Sequence, residues 1–200
     1  MDAEIIPEEN MKSLTYTIQN IVVKTSLNLE ENIDLQKVSQ AVQNTEYNSE
    51  RFPGLFARFS HPKCVIILFK NGKIILTGLK SFNHIKLALN RLILKLNKIL
   101  EKNINKNLIH PKVVNIVITA NFNIQINLDR AAVKLENSIY EPEVFPGLIF
   151  RSIIPVKSVF LIFSTGKVVF TGVNEKEVIE PALINLGRVL NEKKLFRKST

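Results

Sequence analysis

Arg51-Phe52-Pro53-Gly54-Leu55, followed by Cys64-Val65-Ile66-Ile67-Leu68-Phe69-Lys70-Asn71-Gly72-Lys73-Ile74-Ile75-Leu76-Thr77-Gly78, is the stretch that decides the fold, because the chain writes it twice. It returns as Val144-Phe145-Pro146-Gly147-Leu148 and Ser158-Val159-Phe160-Leu161-Ile162-Phe163-Ser164-Thr165-Gly166-Lys167-Val168-Val169-Phe170-Thr171-Gly172. Phe52 and Phe145 stand 93 positions apart, as do Gly54 and Gly147, while Thr77 and Thr171, like Gly78 and Gly172, stand 94 apart. Six of the 7 glycines pair across the copies. Solenoid units run to roughly 20–50 residues, so this longer period is a domain-sized duplication. It predicts a fold with pseudo-twofold symmetry.

The strands inside the repeated stretch are apolar on both faces. Alternate residues of a strand point to opposite sides, so Ile66 and Leu68 oppose Ile67 and Phe69, and Ile74 and Leu76 oppose Ile75 and Thr77. In the second copy Phe160, Ile162, Val168 and Phe170 oppose Leu161, Phe163, Val169 and Thr171. Asn71-Gly72 reads as a hairpin turn of type I′, which needs φ > 0 at both central positions. A second turn falls at Ser164 to Lys167.

Upstream, Thr15 to Lys24 reads as a strand. Asp34 to Gln43 reads as a short helix with Asp34 as its N-cap. Arg51 to Phe59 is extended. Downstream of the hairpin, Ser81 is set to cap a long helix on which Ile85, Ala88, Leu89, Leu92, Leu96 and Ile99 recur at three and four. Asn97 to Asn107 reads as its fraying end and a linker. The second copy repeats this order with a strand at Lys112 to Ala120, a short helix near Leu128 to Glu136, and a helix from Glu175 to Asn191. Pro181 should mark the start of that last helix or a bend in it. The organisation read from this is a tail at 1–13, a first repeat at 14–107 and a second at 108–200, fused in one sheet. One long and one short helix per repeat cover one sheet face, which leaves the other as a wide apolar surface. Soluble monomers seldom expose such a face unless something binds it. A sandwich of the two sheets, or a dimer through this face, would account for it equally on physics alone.

The composition bounds the function. With 200 residues and 46% hydrophobic content the chain can bury a substantial core. Cys64 is the only cysteine, so no intramolecular disulfide forms and a reducing compartment is the simpler reading. The start, Met1-Asp2-Ala3-Glu4, lacks the basic and apolar runs of a signal peptide. No apolar run approaches the ~18–20 residues that span a bilayer. The net charge is +9, with 13 basic and 9 acidic side chains in residues 1–100 and 14 and 9 in residues 101–200. Excess cationic charge attracts polyanions, and its even spread puts any such site across both repeats; a merely solubilising surface is the plain alternative. An enzyme is the competing class and finds little support. His61, His84 and His110 have no metal-ligand spacing, Cys64 has no motif partner, and Gly72 and Gly78 belong to a hairpin and a strand end rather than a phosphate loop. No cofactor or metal is implied.

Several motifs in register now point one way. Gln19-Asn20-Ile21-Val22, Glu46-Tyr47-Asn48, Phe52-Pro53-Gly54, Gly72 to Gly78, Tyr140-Glu141-Pro142-Glu143-Val144-Phe145-Pro146-Gly147-Leu148-Ile149 and the ending Phe196-Arg197-Lys198-Ser199-Thr200 resemble the duplicated core of the TATA-box-binding protein family. The likeness covers about residues 14–200. It implies an α+β fold, a pseudo-twofold saddle of ten antiparallel strands with helices on the convex face, whose concave face sits on DNA. The family is itself the type case of a minor-groove binder that wedges apolar side chains between base steps and kinks the duplex by roughly 80°; that mechanism is what the resemblance implies, not a reading of these residues.

Carried over position by position, the resemblance makes Phe52 with Phe69, and Phe145 with Phe163, two wedge pairs. Any one of them alone would fit a core. Asn20 and Asn115 match asparagines that donate to minor-groove acceptors, which A·T and T·A present alike. Thr77 and Thr171 match threonines beside them. Val22, Val117, Ile67, Leu161, Ile75 and Val169 match an apolar floor that clashes with the guanine amino group. Arg58, Arg151, Lys73 and Lys167 match positions near phosphates. Glu141, Glu143 and Val144 match the loop that docks a TFIIB-type factor, and Lys86, Arg91, Lys95 and Lys98 match the helix face that meets other initiation factors.

The implied function is a general transcription initiation factor that binds and bends the TATA box of double-stranded promoter DNA. Its implied partners are TFIIB-type and TFIIA-type factors and the RNA polymerase machinery. The alternative is a paralogue that keeps the saddle as a protein scaffold with altered DNA preference. Phe52-Pro53-Gly54 looks archaeal and the ending looks eukaryotic, and the reading favoured is a divergent eukaryotic member acting in the nucleus, with the cytoplasm as the place if the chain is archaeal. Val114 stands where the family usually has glutamine, and Glu50 where a basic residue is common. Pro155 to Phe163 is one step longer than Pro62 to Phe69, which predicts a bulge or a longer turn between Val156 and Val159.

Overall fold

A computed structural model describes residues 15–197; the predicted tail at 1–13 and the end of the Phe196 to Thr200 motif lie outside the described residues. Contacts divide the chain into two compact units, one of Gln19–Asn115 and one of the residues up to Ile18 with those from Ile116 onward. Among the described residues, ten antiparallel strands and four α-helices make the expected α+β class.

The strands of the first repeat are β1 (Tyr16–Ser26), which belongs to the first unit from Gln19 onward, β2 (Thr45–Glu46), β3 (Gly54–Ser60), β4 (Lys63–Phe69) and β5 (Lys73–Leu79), in the order β2-β3-β4-β5-β1. Helix α1 (Leu35–Ala41) begins where the Asp34 carboxylate accepts a hydrogen bond from the Lys37 backbone at 3.0 Å, the cap read from sequence. Helix α2 (Asn83–Leu100) buries Ile85, Ala88, Leu89, Leu92, Ile93 and Leu96. Ser81 does not cap it through its side chain: Phe82 is the N-cap, and the Ser81 carbonyl accepts from the His84 amide at 3.2 Å. The helix runs to Leu100 and closes on Glu101 in the left-handed conformation, φ 53°, so the end set at Asn97 falls inside it. There the Asn97 side chain accepts from the Ile104 amide at 2.9 Å.

The second repeat has β6 (Lys112–Asn121), which belongs to the second unit from Ile116 onward, β7 (Ser138–Ile139), β8 (Leu148–Ser152), β9 (Ser158–Ile162) and β10 (Lys167–Val173), in the order β6-β10-β9-β8-β7. Helix α3 (Leu128–Lys134) is capped by the Asn127 side chain on the Arg130 amide at 3.0 Å. Helix α4 (Ile179–Glu192) starts four residues later than Glu175. Pro181 thus occupies its first turn, where the missing N–H has no acceptor to lose.

Strand alternation governs the core. Ile66, Leu68, Ile74 and Leu76 are at most 1% exposed, as are Phe160, Ile162, Val168 and Phe170. Phe160 and Phe170 stack with centroids 4.6 Å apart. Each such side chain contributes about 1.5–3 kcal/mol by leaving water. Their strand neighbours Ile67, Phe69, Ile75 and Thr77, and Leu161, Phe163, Val169 and Thr171, stay half-exposed.

The hairpin turns differ from the type I′ expectation. The Gly72 amide donates to the Phe69 carbonyl at 2.9 Å, and Gly72 has φ +77° while Asn71 does not have positive φ. Three residues, Lys70-Asn71-Gly72, join β4 to β5 rather than two, and a three-residue loop is served by an ordinary turn followed by one left-handed glycine. Gly166 repeats it, with φ +87° and a 3.0 Å bond to the Phe163 carbonyl. The extra residue of the second copy lies in a turn. Phe59 faces Cys64 in the first unit and Ser152 faces Ser158 in the second, leaving four residues between the first pair and five between the second. The strand registers beyond are unaffected.

Candidate nucleic-acid interface

The open face of the first unit is built from cross-strand rows. Phe56 faces Ile67, Ile67 faces Ile75 and Ile75 faces Lys24; Arg58 faces Val65 and Val65 faces Thr77. The second unit repeats both rows as Ile149, Leu161, Val169, Thr119 and as Arg151, Val159, Thr171, Val117. Of the predicted floor, Ile67 and Ile75 are thus brought edge to edge in one unit and Leu161 and Val169 in the other. Val22 and Val117 lie on β1 and β6, half-exposed. A groove of about 720 Å³ in the second unit is lined by Thr17, Thr119, Pro146, Phe163, Lys167 and Val169 among others.

The phenylalanine pairs sit at one end of each face. Phe52 and Phe69 have ring centroids 5.9 Å apart with the planes tilted, and Phe145 and Phe163 5.8 Å apart in an edge-on contact. The backbone holds them by bonds from the Phe52 amide to the Asn48 carbonyl (3.0 Å) and from the Phe145 amide to the Glu141 carbonyl (2.9 Å). Glycine follows the proline because the rings lie over it. A Cβ at Gly54 would meet Phe52 at 2.7 Å and Phe69 at 3.2 Å; at Gly147 it would meet Phe145 at 2.7 Å and Phe163 at 3.1 Å. Carbon atoms prefer about 3.5–4.0 Å. Phe52 remains 37% exposed despite these contacts, and it also packs on Phe56 at 5.1 Å. Phe56 was not singled out from sequence, though its place two residues after Gly54 on the same face was available.

Asn20 is pinned in a defined sense. Its Oδ1 accepts from the Gly78 amide at 2.7 Å and from the Thr77 hydroxyl at 3.2 Å, and its Nδ2 lies 3.1 Å from Thr77 Oγ1. A backbone N–H can only donate, so the atom that it meets must be the amide oxygen. That fixes the amide rotamer and leaves Nδ2 as the group with a donor to spare. Asn115 lies on β6 on the side of Val117, half-exposed.

The predicted cations are exposed: Arg58, Lys73, Arg151 and Lys167. Arg58 is not free, because its Nη2 lies 3.3 Å from Glu46 Oε2. Both side chains are more than half exposed, 56% and 72%, so the pair contributes about 0–1 kcal/mol and yields readily to a stronger anion. The cross-strand place that Glu46 takes beside Phe56 is taken by Ile139 beside Ile149 in the second unit.

The acidic loop is a turn in which the Glu141 carbonyl accepts from the amides of Val144 (3.0 Å) and Phe145 (2.9 Å). Glu141 and Glu143 are exposed, and Val144 is 81% exposed. On α2, Lys86, Arg91, Lys95 and Lys98 are exposed as well.

The chain's similarities fit this geometry. The family model described as transcription factor TFIID, or TATA-binding protein, matches residues 15–99 and again 110–193. The TATA-box-binding protein of Sulfolobus acidocaldarius is 40% identical over 181 residues, covering 90% of this chain and 88% of that one. That of Methanocaldococcus jannaschii is 42% identical over 169 residues, covering 83% and 88%. The solved structure of Methanococcus jannaschii TBP, 39% identical, superposes with a TM-score of 0.80 over 88% of this chain and 98% of that one, so the two chains share a fold.

Proposed function

This chain belongs to the TATA-binding protein family of transcription factors, and from that premise we propose how it works: the half-exposed sheet face of each repeat enters the minor groove of A·T-rich promoter DNA and bends it. The chain is a general initiation factor that binds TATA DNA and not an enzyme, and nothing favours the scaffold paralogue. The observation that carries the mechanism is the paired rings standing on a glycine in both repeats. An apolar ring pair held on backbone, with one edge in solvent, can enter an unstacked base step and replace lost stacking.

The roles follow in this reading. Phe52, Phe69, Phe145 and Phe163 are the wedges, in repeats of 14–107 and 108–200. Asn20 and Asn115, beside Thr77 and Thr171, donate to adenine N3 and thymine O2. Val22, Ile67, Ile75, Val117, Leu161 and Val169 form a floor that leaves no room for the guanine amino group. Arg58, Lys73, Arg151 and Lys167 neutralise phosphates, Arg58 by exchanging Glu46 for one. Glu141, Glu143 and Val144 dock a TFIIB-type factor. The TFIIA-type factor and the polymerase machinery join the same assembly, and the basic face of α2 meets further initiation factors. The relatives quoted are archaeal, which supports the cytoplasm over the nucleus as the place of action.

The test is the double variant Phe145→Ala with Phe163→Ala. Bending, read by energy transfer between dyes at the ends of a TATA duplex, and affinity should fall together while the circular dichroism stays that of the parent. Bending equal to the parent, or an unfolded variant, would remove the wedge assignment.

A further inference from the structure

Lys24 stands where the strand reading from sequence ended, and the register of β1 gives it a place on the open face. It is exposed and pairs with Ile75, an apolar floor residue, while the next residue on that side of β1, Ser26, pairs with Lys73. Lys24 and Lys73 are therefore diagonal cross-strand neighbours, with Cβ atoms about 7–8 Å apart or less. Two flexible ammonium groups this close repel each other and gain from an anion between or beside them. Neither has an ion-pair partner among the described residues. The carboxylate at the far end of the same row, Glu46, is four strand spacings away, about 19 Å, beyond the ~8–10 Å screening length of physiological salt. In the second unit the same positions hold Thr119 opposite Val169 and Asn121 opposite Lys167, so the lysine there has no cationic neighbour of this kind.

We infer that Lys24 is a phosphate-contacting residue which, with Lys73, forms a two-lysine clamp on the duplex backbone that only the first repeat has. The inference rests on the DNA reading above and deepens it: the two repeats grip the duplex with unequal charge at equivalent positions. Lys24→Thr, which installs the residue of the second repeat, removes one phosphate contact. The slope of log affinity against log salt then shrinks by about 0.9. From about 50 to about 200 mM salt the parent should lose about 3.5-fold more affinity than Lys24→Thr, since fourfold raised to the power 0.9 is about 3.5. The converse variant, Thr119→Lys, should steepen the slope by a similar amount. Lys37→Ala, which removes the same charge from the exposed side of α1, should leave the slope unchanged.

The experiment is a salt titration of duplex binding by fluorescence anisotropy for the parent and the three variants, with thermal midpoints measured alongside. An unchanged slope for Lys24→Thr in a protein that melts like the parent overturns the inference. So does an equal drop for Lys37→Ala, which would make the effect one of net charge. Slopes are read on a TATA duplex and on its G·C-substituted version. A parent that binds both equally would count against the A·T reading, while the slopes on either duplex still decide Lys24.

Discussion

Gly147→Ala should disable the second wedge pair without unfolding the protein. Gly147 does not have positive φ among the described glycines, so alanine fits its backbone. The new methyl carbon would lie 2.7 Å from the Phe145 ring and 3.1 Å from that of Phe163. Normal contact needs about 3.5–4.0 Å, so Phe145 must retreat by about 0.8–1.3 Å. Both rings are half-exposed and can swing outward. Displacing a ring from its rotamer costs about 0.5–1.5 kcal/mol, a small charge on stability. The binding loss should be larger. Stacking of a base on an aromatic side chain is worth about 1–3 kcal/mol, and a misplaced pair forfeits a comparable amount, about 5- to 150-fold in affinity. The assay compares parent and variant for the dissociation constant and the end-to-end dye distance of one TATA duplex, with thermal unfolding as the control. A variant that melts within a few degrees of the parent yet binds and bends with undiminished strength would refute the argument that the rings must rest on a bare glycine.

Three further outcomes follow from the same geometry. Asn20→Asp keeps an acceptor for the Gly78 amide and the Thr77 hydroxyl but removes the spare donor and adds a negative charge; TATA affinity should fall more than about tenfold, with each tenfold equal to about 1.4 kcal/mol, while thermal stability stays near that of the parent, and retained affinity would take Asn20 off the DNA path. Lys73→Ala or Lys167→Ala should each flatten the salt slope by about 0.9 without altering the preference for A·T, as titrations on the TATA and G·C duplexes will report. Reversing Glu141 and Glu143 to lysine should leave the binary DNA complex intact and abolish the ternary complex with the TFIIB-type factor in a gel shift; loss of the binary complex would put the loop on the DNA, and an unchanged ternary complex would reduce it to a solvated turn.

The division of each sheet into two faces is legible because strand period is two. Ile66 against Ile67, and Phe160 against Leu161, fall on the sides that alternation assigns. The cap of α1 is legible for a local reason, a side-chain acceptor three residues before a free amide; Asn127, which caps α3 in the same way, is not singled out by the sequence reading. What depends on register is not legible. The apolar pattern ends at Lys24, whereas β1 reaches Ser26, and it is the pairing of Ser26 with Lys73 that puts Lys24 beside Lys73. Arg58 matches a position near phosphate, and nothing in the sequence shows that Glu46, twelve positions earlier, comes within 3.3 Å of it. Phe56 looked like one more strand residue, yet it backs Phe52. The hairpin turn was mistaken because Asn-Gly signals a two-residue loop only when the strands close around those two residues, and here Lys70 joins them.

The most direct test of the account is a paired titration of the unmodified protein with an A·T-rich TATA duplex and the same duplex with G·C pairs at its centre, each labelled at both ends so that binding and bending are read together. A face with an apolar floor, amide donors and seated phenylalanine pairs should give saturable binding and a shortened end-to-end distance on the TATA duplex alone. Equal binding to both duplexes, or tight binding that leaves the TATA duplex straight, would contradict it.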